Sequence, residues 1–352
     1  MAQITIAPGR CWQYSHYVGR RATAGMGFSQ PIGVALGKDG VLFVANRTNP
    51  RITKATVDQQ YIKEFGRGGE EEGQFVYLTA VAVDQEQNVY TADEWLHRIT
   101  VFNQEGDLVG TWGQSGEAEA QLNGPSGMAF DADDNLWIVN SLNSRIQKFT
   151  KDGQYIGGFG SKGNGEGELD MPWGITIDNR GDLYVADWNN HRVQKFSPDG
   201  THLLTFGSGD TTGVSVDGST PYIHATAGHV AVNPNSLNHP TGVAVDPDGD
   251  VYVVDWMNER IVIFDSDTKP VACLRGDATG LSEWAKLSIN ANPDMAVARR
   301  RVKHPEIQEY LRMPVACAFD QESNRLIICD TMRGRLQVYE KDKNYKDPQF
   351  NL

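Results

Sequence analysis

Cysteine and positive charge are both scarce in this chain of 352 residues. Its four cysteines form no Cys-x-x-Cys pair, which argues against a zinc ribbon or a thioredoxin-like redox site. We expect buried, reduced thiols, with a disulfide between Cys11 and Cys329 left open. Acidic residues outnumber basic ones, 45 against 32, giving a formal net charge of −13. This balance argues against nucleic-acid binding, which requires a basic face.

Long hydrophobic runs are also missing. No stretch of 18 apolar residues occurs, so no membrane-spanning helix and no membrane partner are predicted. The first thirty residues lack an apolar signal core, which predicts a cytoplasmic protein; its oligomeric state stays open. The chain has no Gly-x-Ser-x-Gly elbow, and its glycine-rich run at 163–167 has no βαβ context. An α/β-hydrolase mechanism and a nicotinamide, flavin or haem cofactor are therefore not expected.

A repeat of 47 residues organises the chain. It is visible in four arginines and in four aromatic-glycine pairs, which begin at Phe65, Trp112, Phe159 and Phe206, while the arginines are Arg51, Arg98, Arg145 and Arg192. Each unit holds four short β-branched or aromatic runs separated by turns, the pattern of one propeller blade. Six units begin near residues 31, 78, 125, 172, 240 and 314. We therefore predict a single domain over residues 1–352.

The two ends of the repeat complement each other. The sixth unit ends after three strands near Tyr339, and residues 11–19 have the phase of a fourth strand. This predicts an all-β, six-bladed β-propeller whose N-terminal strand completes the last blade, so that no sheet edge is left open at the closure.

Two junctions between blades are longer than the others, which gives insertions at 208–236 and 277–311. We expect both to lie over the central mouth, because inter-blade junctions emerge on one face and insertions map to it. The second insertion contains Asn292-Pro293-Asp294, a good helix start. It predicts a small helical cap between blades five and six.

The best-formed units resemble the NHL repeat. Blade four reads Pro172-x-Gly174, then Leu183-Tyr184-Val185-Ala186-Asp187, then Asn190-His191-Arg192-Val193, and blade five follows the same pattern at 255–261. The resemblance covers about residues 10–340. It implies a propeller, but NHL propellers include lyases, hydrolases, RNA-binding modules and docking platforms. The lactonase-like and amidating-lyase-like branches further imply hydrolysis or elimination on a small molecule, with a divalent metal allowed at the mouth.

Around the mouth the blades differ from one another. The residues before strand one are Gln30, Tyr77, Gly124, Met171, His239 and Met313, and those after strand two are Arg47, Glu94, Ser141, Trp188, Trp256 and Thr331. Such variety with aromatic lining is typical of a small-molecule site. We predict His239 as the leading acid/base residue, assisted by Tyr77 or Glu94. Substrate contacts are expected from Arg47 and from an apolar wall of Trp173, Trp188, Trp256, Met171 and Met313.

Three histidines raise the question of a metal. His224, His229 and His239 fall within a short span and could together hold one divalent ion, zinc or calcium. Their spacing matches no specific metal motif, so a metal-free His239 stays open. The recurrent aspartates (Asp93, Asp187, Asp255 and Asp330) are interpreted as structural partners of the strand-three arginines rather than as ligands.

The function predicted from these features is enzymatic. A hydrolase or lyase would act on a small organic substrate, anionic or aromatic, in the mouth of the propeller. The alternative is a non-catalytic platform that binds a protein or peptide partner on its top face.

Overall fold

The computed structural model describes residues 4–208, 233–303 and 305–347. Six antiparallel sheets, each containing the four strands of one blade, follow one another along the chain. The strands that open the chain are β1 (Ile4–Ala7) and β2 (Arg10–Val18). Blade one contains β3 (Pro31–Leu36), β4 (Val41–Asn46), β5 (Arg51–Thr56) and β6 (Tyr61–Phe65). A two-residue parallel pair follows, β7 (Arg67–Gly68) with β8 (Gln74–Phe75).

The remaining blades keep the same order. Blade two contains β9 (Leu78–Val83), β10 (Val89–Asp93), β11 (Arg98–Phe102) and β12 (Leu108–Trp112). Blade three contains β13 (Pro125–Phe130), β14 (Leu136–Asn140), β15 (Arg145–Phe149) and β16 (Tyr155–Phe159). Blade four contains β17 (Ile175–Ile177), β18 (Leu183–Asp187), β19 (Arg192–Phe196) and β20 (His202–Phe206).

Blade five contains β21 (Pro240–Val245), β22 (Val251–Asp255), β23 (Arg260–Phe264) and β24 (Pro270–Leu274). Two helices follow it, α1 (Glu283–Ala291) and α2 (Pro293–Arg300). Blade six then contributes β25 (Cys317–Asp320), β26 (Arg325–Asp330) and β27 (Arg335–Lys341). The six-bladed architecture predicted from the repeat, with a helical insertion between blades five and six, is confirmed. No helix in the described residues is long and apolar enough to cross a membrane.

The propeller closes through its ends. β2 pairs antiparallel with β27, with Trp12 opposite Lys341 and Val18 opposite Leu336, which confirms that an N-terminal strand completes blade six. β1 adds an unpredicted fifth strand outside it. The Lys341 ammonium lies 2.5 Å from Asp246 and 2.9 Å from Asp250, both in blade five. Charge-assisted contacts therefore join the last strand of the chain to the preceding blade.

The core lies between the blades. β22 and β23 are buried at every residue, because neighbouring blades cover both faces of each sheet; such strands read as continuous apolar runs. All four cysteines are free thiols, Cys11 and Cys329 among them, so the disulfide left open between these two is absent. Burial raises the pKa of the Cys329 thiol well above its ordinary value, and such thiols are chemically inert.

Buried aspartates brace the turns between strands two and three. In blade five, Asp255 accepts hydrogen bonds from Arg260 Nε (2.6 Å) and from the Asn238 backbone N–H (2.7 Å). Asp187 with Arg192 and Asp330 with Arg335 repeat the pairing at 2.8 and 2.7 Å. The structural role predicted for these three aspartates is confirmed.

Blade two departs from this pattern. Asp93 accepts four backbone N–H groups, including those of Val76 and Tyr77. Arg98 instead donates to backbone carbonyls of the preceding junction. The predicted pairing of Asp93 with Arg98 is therefore replaced by separate bonds to the backbone, and Asp93 is structural by another route.

The first helix of the insertion, α1, does not lie over the mouth, where we expected the insertion to lie. Trp284 of α1 is buried against Phe28 and Tyr61, with ring centroids 5.4 and 5.9 Å apart. Its indole N–H donates to the Gln59 carbonyl in the outer turn of blade one, and Ser282 donates to the Gly19 carbonyl at the end of β2. These contacts place α1 on the perimeter between blades six and one rather than over the mouth. Most of the first insertion, residues 209–232, lies outside the described residues.

Candidate active site

A cavity of about 260 Å³ opens at the mouth, where first strands begin and second strands end. Five of the predicted substrate contacts line it: Arg47, Trp173, Trp188, Trp256 and Met313. Met171 is half-buried at the equivalent position of blade four and is not part of this lining. The cavity suits a small molecule, and its aromatic surface is typical of ligand sites.

The backbone around the mouth is strained. The residue before strand one is left-handed in five blades: Gln30 (φ 56°), Gly124 (φ 61°), Met171 (φ 48°), His239 (φ 53°) and Met313 (φ 46°). This conformation is uncommon for residues other than glycine and costs on the order of 1–3 kcal/mol. Such strain persists where the surrounding structure fixes it, and it concentrates at functional sites.

His239 stands against an aromatic wall. Its ring centroid is 4.2 Å from that of Trp188, 4.3 Å from that of His191 and 6.5 Å from that of Trp256. Nδ1 lies 2.7 Å from the Asn238 side-chain oxygen, which assigns the proton to Nδ1 and leaves the Nε2 lone pair free to accept. Burial, reinforced by His191, lowers the pKa of His239 to about 4. The imidazole is therefore neutral at neutral pH.

Two histidines of the turns between strands two and three have structural roles. His191 Nδ1 accepts the backbone N–H of His239 at 3.1 Å, and His97 Nδ1 accepts that of Gly124 at 3.0 Å. Each therefore ties its turn to the next blade. Burial also lowers the pKa of His191, which keeps this acceptor unprotonated.

Arg47 lies across the mouth between blades one and four. Its guanidinium carbon is 4.2 Å from the Tyr77 ring centroid and 5.9 Å from that of Trp173, and Nη1 donates to the Tyr77 hydroxyl at 3.1 Å. Desolvation lowers the pKa of Arg47, opposed by Tyr77 and Glu94. Burial raises the pKa of Glu94, opposed mainly by Arg47. The structure thus brings Tyr77 and Glu94 to Arg47, whereas His239 belongs with Trp188 and Trp256.

Unsatisfied polar atoms concentrate at this mouth. Twelve buried side-chain nitrogen and oxygen atoms of the described residues lack a hydrogen-bond partner, and five of them are here: Arg47 Nε and Nη2, Glu94 Oε2, Ser141 Oγ and Thr241 Oγ1. Buried polar groups in folded proteins are nearly always bonded, and each exception calls for an explanation. All five atoms are shielded from solvent in this structure, so a molecule in the cavity contacts them only if the neighbouring side chains move.

Thr241 lines the cavity but is not among the site residues predicted from the sequence, although its position in the repeat could have indicated it. Thr241 follows Pro240 at the start of strand one, as Trp173 follows Pro172 one blade earlier. Ile32 and Val315 occupy the same position in blades one and six and also line the cavity. The residue that follows the first residue of each unit, taken in every blade, would have identified Thr241, Ile32 and Val315.

The histidine triad cannot be assembled from the described residues. His224 and His229 lie outside them, and the rest of the chain contains no group of three or more His, Cys, Asp or Glu residues placed to hold a metal. His239 Nε2 is a suitable nitrogen ligand, but one ligand does not define a catalytic zinc site, which takes three protein ligands.

Elemental analysis of wild type beside His239→Ala tests the metal prediction. If His224, His229 and His239 together hold a divalent ion, the wild type should contain about one zinc or calcium per chain and the variant should lose it, because His239 would supply one of the three ligands. If His239 acts as a metal-free base, neither protein should contain the metal. An equal metal content in both proteins would contradict a role for His239 as a ligand. A wild type without metal would contradict the triad.

Comparisons with known proteins agree with this architecture. The model of the NHL repeat matches residues 169–196 and 237–264, which are blades four and five. Blades four and five of this six-bladed β-propeller therefore match the NHL repeat. No curated protein sequence matches it.

Solved structures share the fold at low identity. A protein of unknown function from Bacteroides thetaiotaomicron is 18% identical, with a TM-score of 0.63 over 95% of this chain and 76% of that one. A streptogramin B lyase is 14% identical, with a TM-score of 0.55 over 96% and 100%. The virginiamycin B lyase of Staphylococcus aureus, solved with quinupristin in a catalytically inactive histidine-to-alanine form, is 12% identical, with a TM-score of 0.52 over 94% and 88%. At these identities the likeness establishes the fold alone.

Proposed function

We propose that this protein is an enzyme of the lyase or hydrolase type that acts on a small carboxylate at the mouth of the propeller. The observation that carries the proposal is the Arg47 guanidinium, a cationic group that lines the aromatic cavity and donates there to the Tyr77 hydroxyl. Guanidinium groups are well suited to bind carboxylates through charge-assisted hydrogen bonds. Low local dielectric strengthens such a pair.

The acid/base step is assigned to His239. In its neutral imidazole Asn238 holds Nδ1 and Nε2 remains a proton acceptor. The ring itself does not line the cavity but lies against Trp188, which does. In an elimination Nε2 takes a proton from carbon as the leaving group departs; in a hydrolysis it takes the proton of the attacking water. Trp188 and Trp256 fix the ring and exclude water from one side of it. The lyases that share this fold, one of them inactivated by a histidine-to-alanine change, support this class of chemistry.

Tyr77 and Glu94 support a different role from the one first expected. Both contact or face Arg47 rather than His239, so in this proposal they position the anion-binding guanidinium. Their assistance in proton transfer stays a prediction.

Arg47→Met tests the anion site. We expect the Kd for 3-phenylpropanoate to rise about ten- to a hundred-fold, because the variant removes a charge-assisted pair in a partly buried site. Titration calorimetry measures this. Arg67→Met is the matched control, since Arg67 is exposed in the short strand β7. Equal affinity in the wild type and Arg47→Met would contradict the proposal.

The low pKa of His239 predicts an unusual pH dependence. Its imidazole should titrate near pH 4, so its basic form, and with it kcat/KM, persists from neutral pH down to that value and is lost below it. Because the unfolded histidine binds its proton near pH 6.5, stability should decline as pH falls from about 6.5 to 4. NMR titration of the histidine rings, assigned with His239→Asn, measures the pKa; a midpoint of 6 to 7 would contradict the prediction.

A binding platform is the second candidate, favoured by the apolar rim. Trp95, Leu142 and Met257 occupy one repeat position, two residues after the strand-two Asp or Asn, and all are exposed. Exposed apolar groups on one face can mark a docking site. A protein partner that binds wild type and His239→Ala equally, but not Trp95→Ser, would favour this function.

A further inference from the structure

Three tryptophans from blades four and five form one wall of the cavity at the mouth. Trp173, Trp188 and Trp256 all line it, and we call them the tryptophan wall. The ring centroids of Trp188 and Trp256 lie 6.3 Å apart, with their planes inclined by 39°. All three side chains are half-buried, so a ligand in the cavity can reach part of each indole. Because indoles are large, rigid and apolar, this wall suits a flat ring.

The remaining apolar lining comes from blades six and one. It contains the thioethers of Met313 and Met332, together with Val315 and Ile32. The Met332 sulfur accepts a hydrogen bond from the Gln30 side chain at 3.6 Å, which holds that thioether in place. Thioether sulfur makes favourable contacts with aromatic rings, and methionine adapts its shape to the group that packs on it. A ring in the cavity would therefore contact both indole and sulfur.

Charge in the cavity is confined to one residue. Among the described residues that line it, Arg47 alone is ionisable. Its guanidinium carbon lies 5.9 Å from the Trp173 ring centroid, so an anion bound by Arg47 would lie beside the tryptophan wall. Arg47 repels cations, and none of the described lining residues supplies a carboxylate to attract them. The lining thus favours a ligand with one anionic end and an uncharged body.

The size of the cavity limits that body. The volume of about 260 Å³ lies below the range of about 300–1,000 Å³ that is typical of sites for drug-sized ligands. A single ring with a short chain fits such a space, whereas a peptide or a large polycycle exceeds it.

We propose that the preferred ligand of this cavity is an aryl carboxylate in which a short chain joins one aromatic ring to the acid. The carboxylate pairs with Arg47, and the ring packs on the tryptophan wall and on the two methionine side chains. For its carboxylate end the inference rests on the proposed function. It goes further by assigning the body of the substrate and the residues that select it.

Three ligands separate the ring from the charge by titration calorimetry on wild type. 3-Phenylpropanoate carries both, 3-cyclohexylpropanoate keeps the charge on a saturated ring of similar size, and 3-phenylpropanamide keeps the ring without the charge. The saturated ring is the more hydrophobic of the two, so a cavity that is merely apolar would bind it at least as tightly. We expect 3-phenylpropanoate to bind about three- to ten-fold more tightly than 3-cyclohexylpropanoate, the effect of aromatic contacts.

Trp256→Leu tests the placement of the ring. The variant should reduce the preference for the aromatic acid to about two-fold or less, because leucine is apolar but has no aromatic face. Trp256 is a better position for this change than Trp188, whose ring lies closer to His239. Trp95→Leu is the matched control, since Trp95 is 69% exposed and does not line the cavity; it should keep the full preference.

The outcomes separate the two proposals. If 3-cyclohexylpropanoate binds wild type as tightly as 3-phenylpropanoate, the aromatic preference is overturned and the anion site stands. If the preference is undiminished in Trp256→Leu, the placement of the ring on the tryptophan wall is overturned. If 3-phenylpropanamide binds as tightly as the acid, the anion site, and the proposed function with it, is overturned. If none of the three binds, both proposals are overturned.

Discussion

Replacing His239 with alanine is expected to lower kcat by about 10²- to 10⁴-fold, the usual contribution of a general base. The loss follows from the geometry, since Nε2 is the free nitrogen of a neutral ring held by Asn238 and two tryptophans. Ester- and lactone-containing carboxylates provide the assay, with hydrolysis followed by proton release and elimination by the absorbance of the new double bond.

Two further variants separate chemistry from backbone effects. His239 is left-handed, a conformation that asparagine adopts more readily than alanine does, so His239→Asn should be well folded and equally inactive. His202→Ala changes a histidine in the outer strand β20 and should keep full activity. Retention of wild-type turnover in His239→Asn would remove His239 from the mechanism.

The largest effect on stability is expected from Asp255→Ala. Asp255 is fully buried, and its loss leaves the Arg260 guanidinium, itself 2% exposed, without its carboxylate. Breaking a buried pair on one side costs about 3–5 kcal/mol. The Asn238 N–H would also lose its acceptor, which should loosen the loop that holds His239.

Urea unfolding measures that free energy. Asp133→Ala, at an exposed turn of blade three, is the matched control and should change the unfolding free energy by less than about 0.5 kcal/mol. If Asp255→Ala also changed the unfolding free energy by less than about 0.5 kcal/mol, the Asp255–Arg260 pair would contribute little to stability.

The blades could be predicted from the sequence because each repeat contains its own pattern of four apolar strands separated by turn residues. The 47-residue phase located the starts of blades one to four and the strand that closes the ring, and the same pattern of residues located blades five and six beyond the insertions. β1 has no counterpart in the repeat, so the repeat did not predict a fifth strand in blade six. The helix start at Asn292-Pro293-Asp294 predicted α2 correctly. A helix start does not indicate where a helical segment docks, which for α1 is determined by the burial of Trp284 on the perimeter.

The candidate site could be predicted in part, again from the positions of residues within the repeat. The position of Arg47, Trp188 and Trp256 in the repeat predicted that they lie at the mouth, and all three line the cavity. It could not show that Arg47 reaches across to Trp173, because the length and rotamer of a side chain determine such contacts. Nor could it divide the polar residues into the Arg47 group and the His239 group.

Closure by β2 and β27 affects how the chain must be made. Trp12 leaves the ribosome long before Lys341, its neighbour in the finished sheet. Throughout synthesis β2 has an unpaired edge, and exposed strand edges recruit other chains. Contacts between such distant parts of a chain also form slowly. The open edge of β2 is therefore covered only when β27 has been made and pairs with it. A chain interrupted before β27 would be released with this edge exposed and able to pair with other chains.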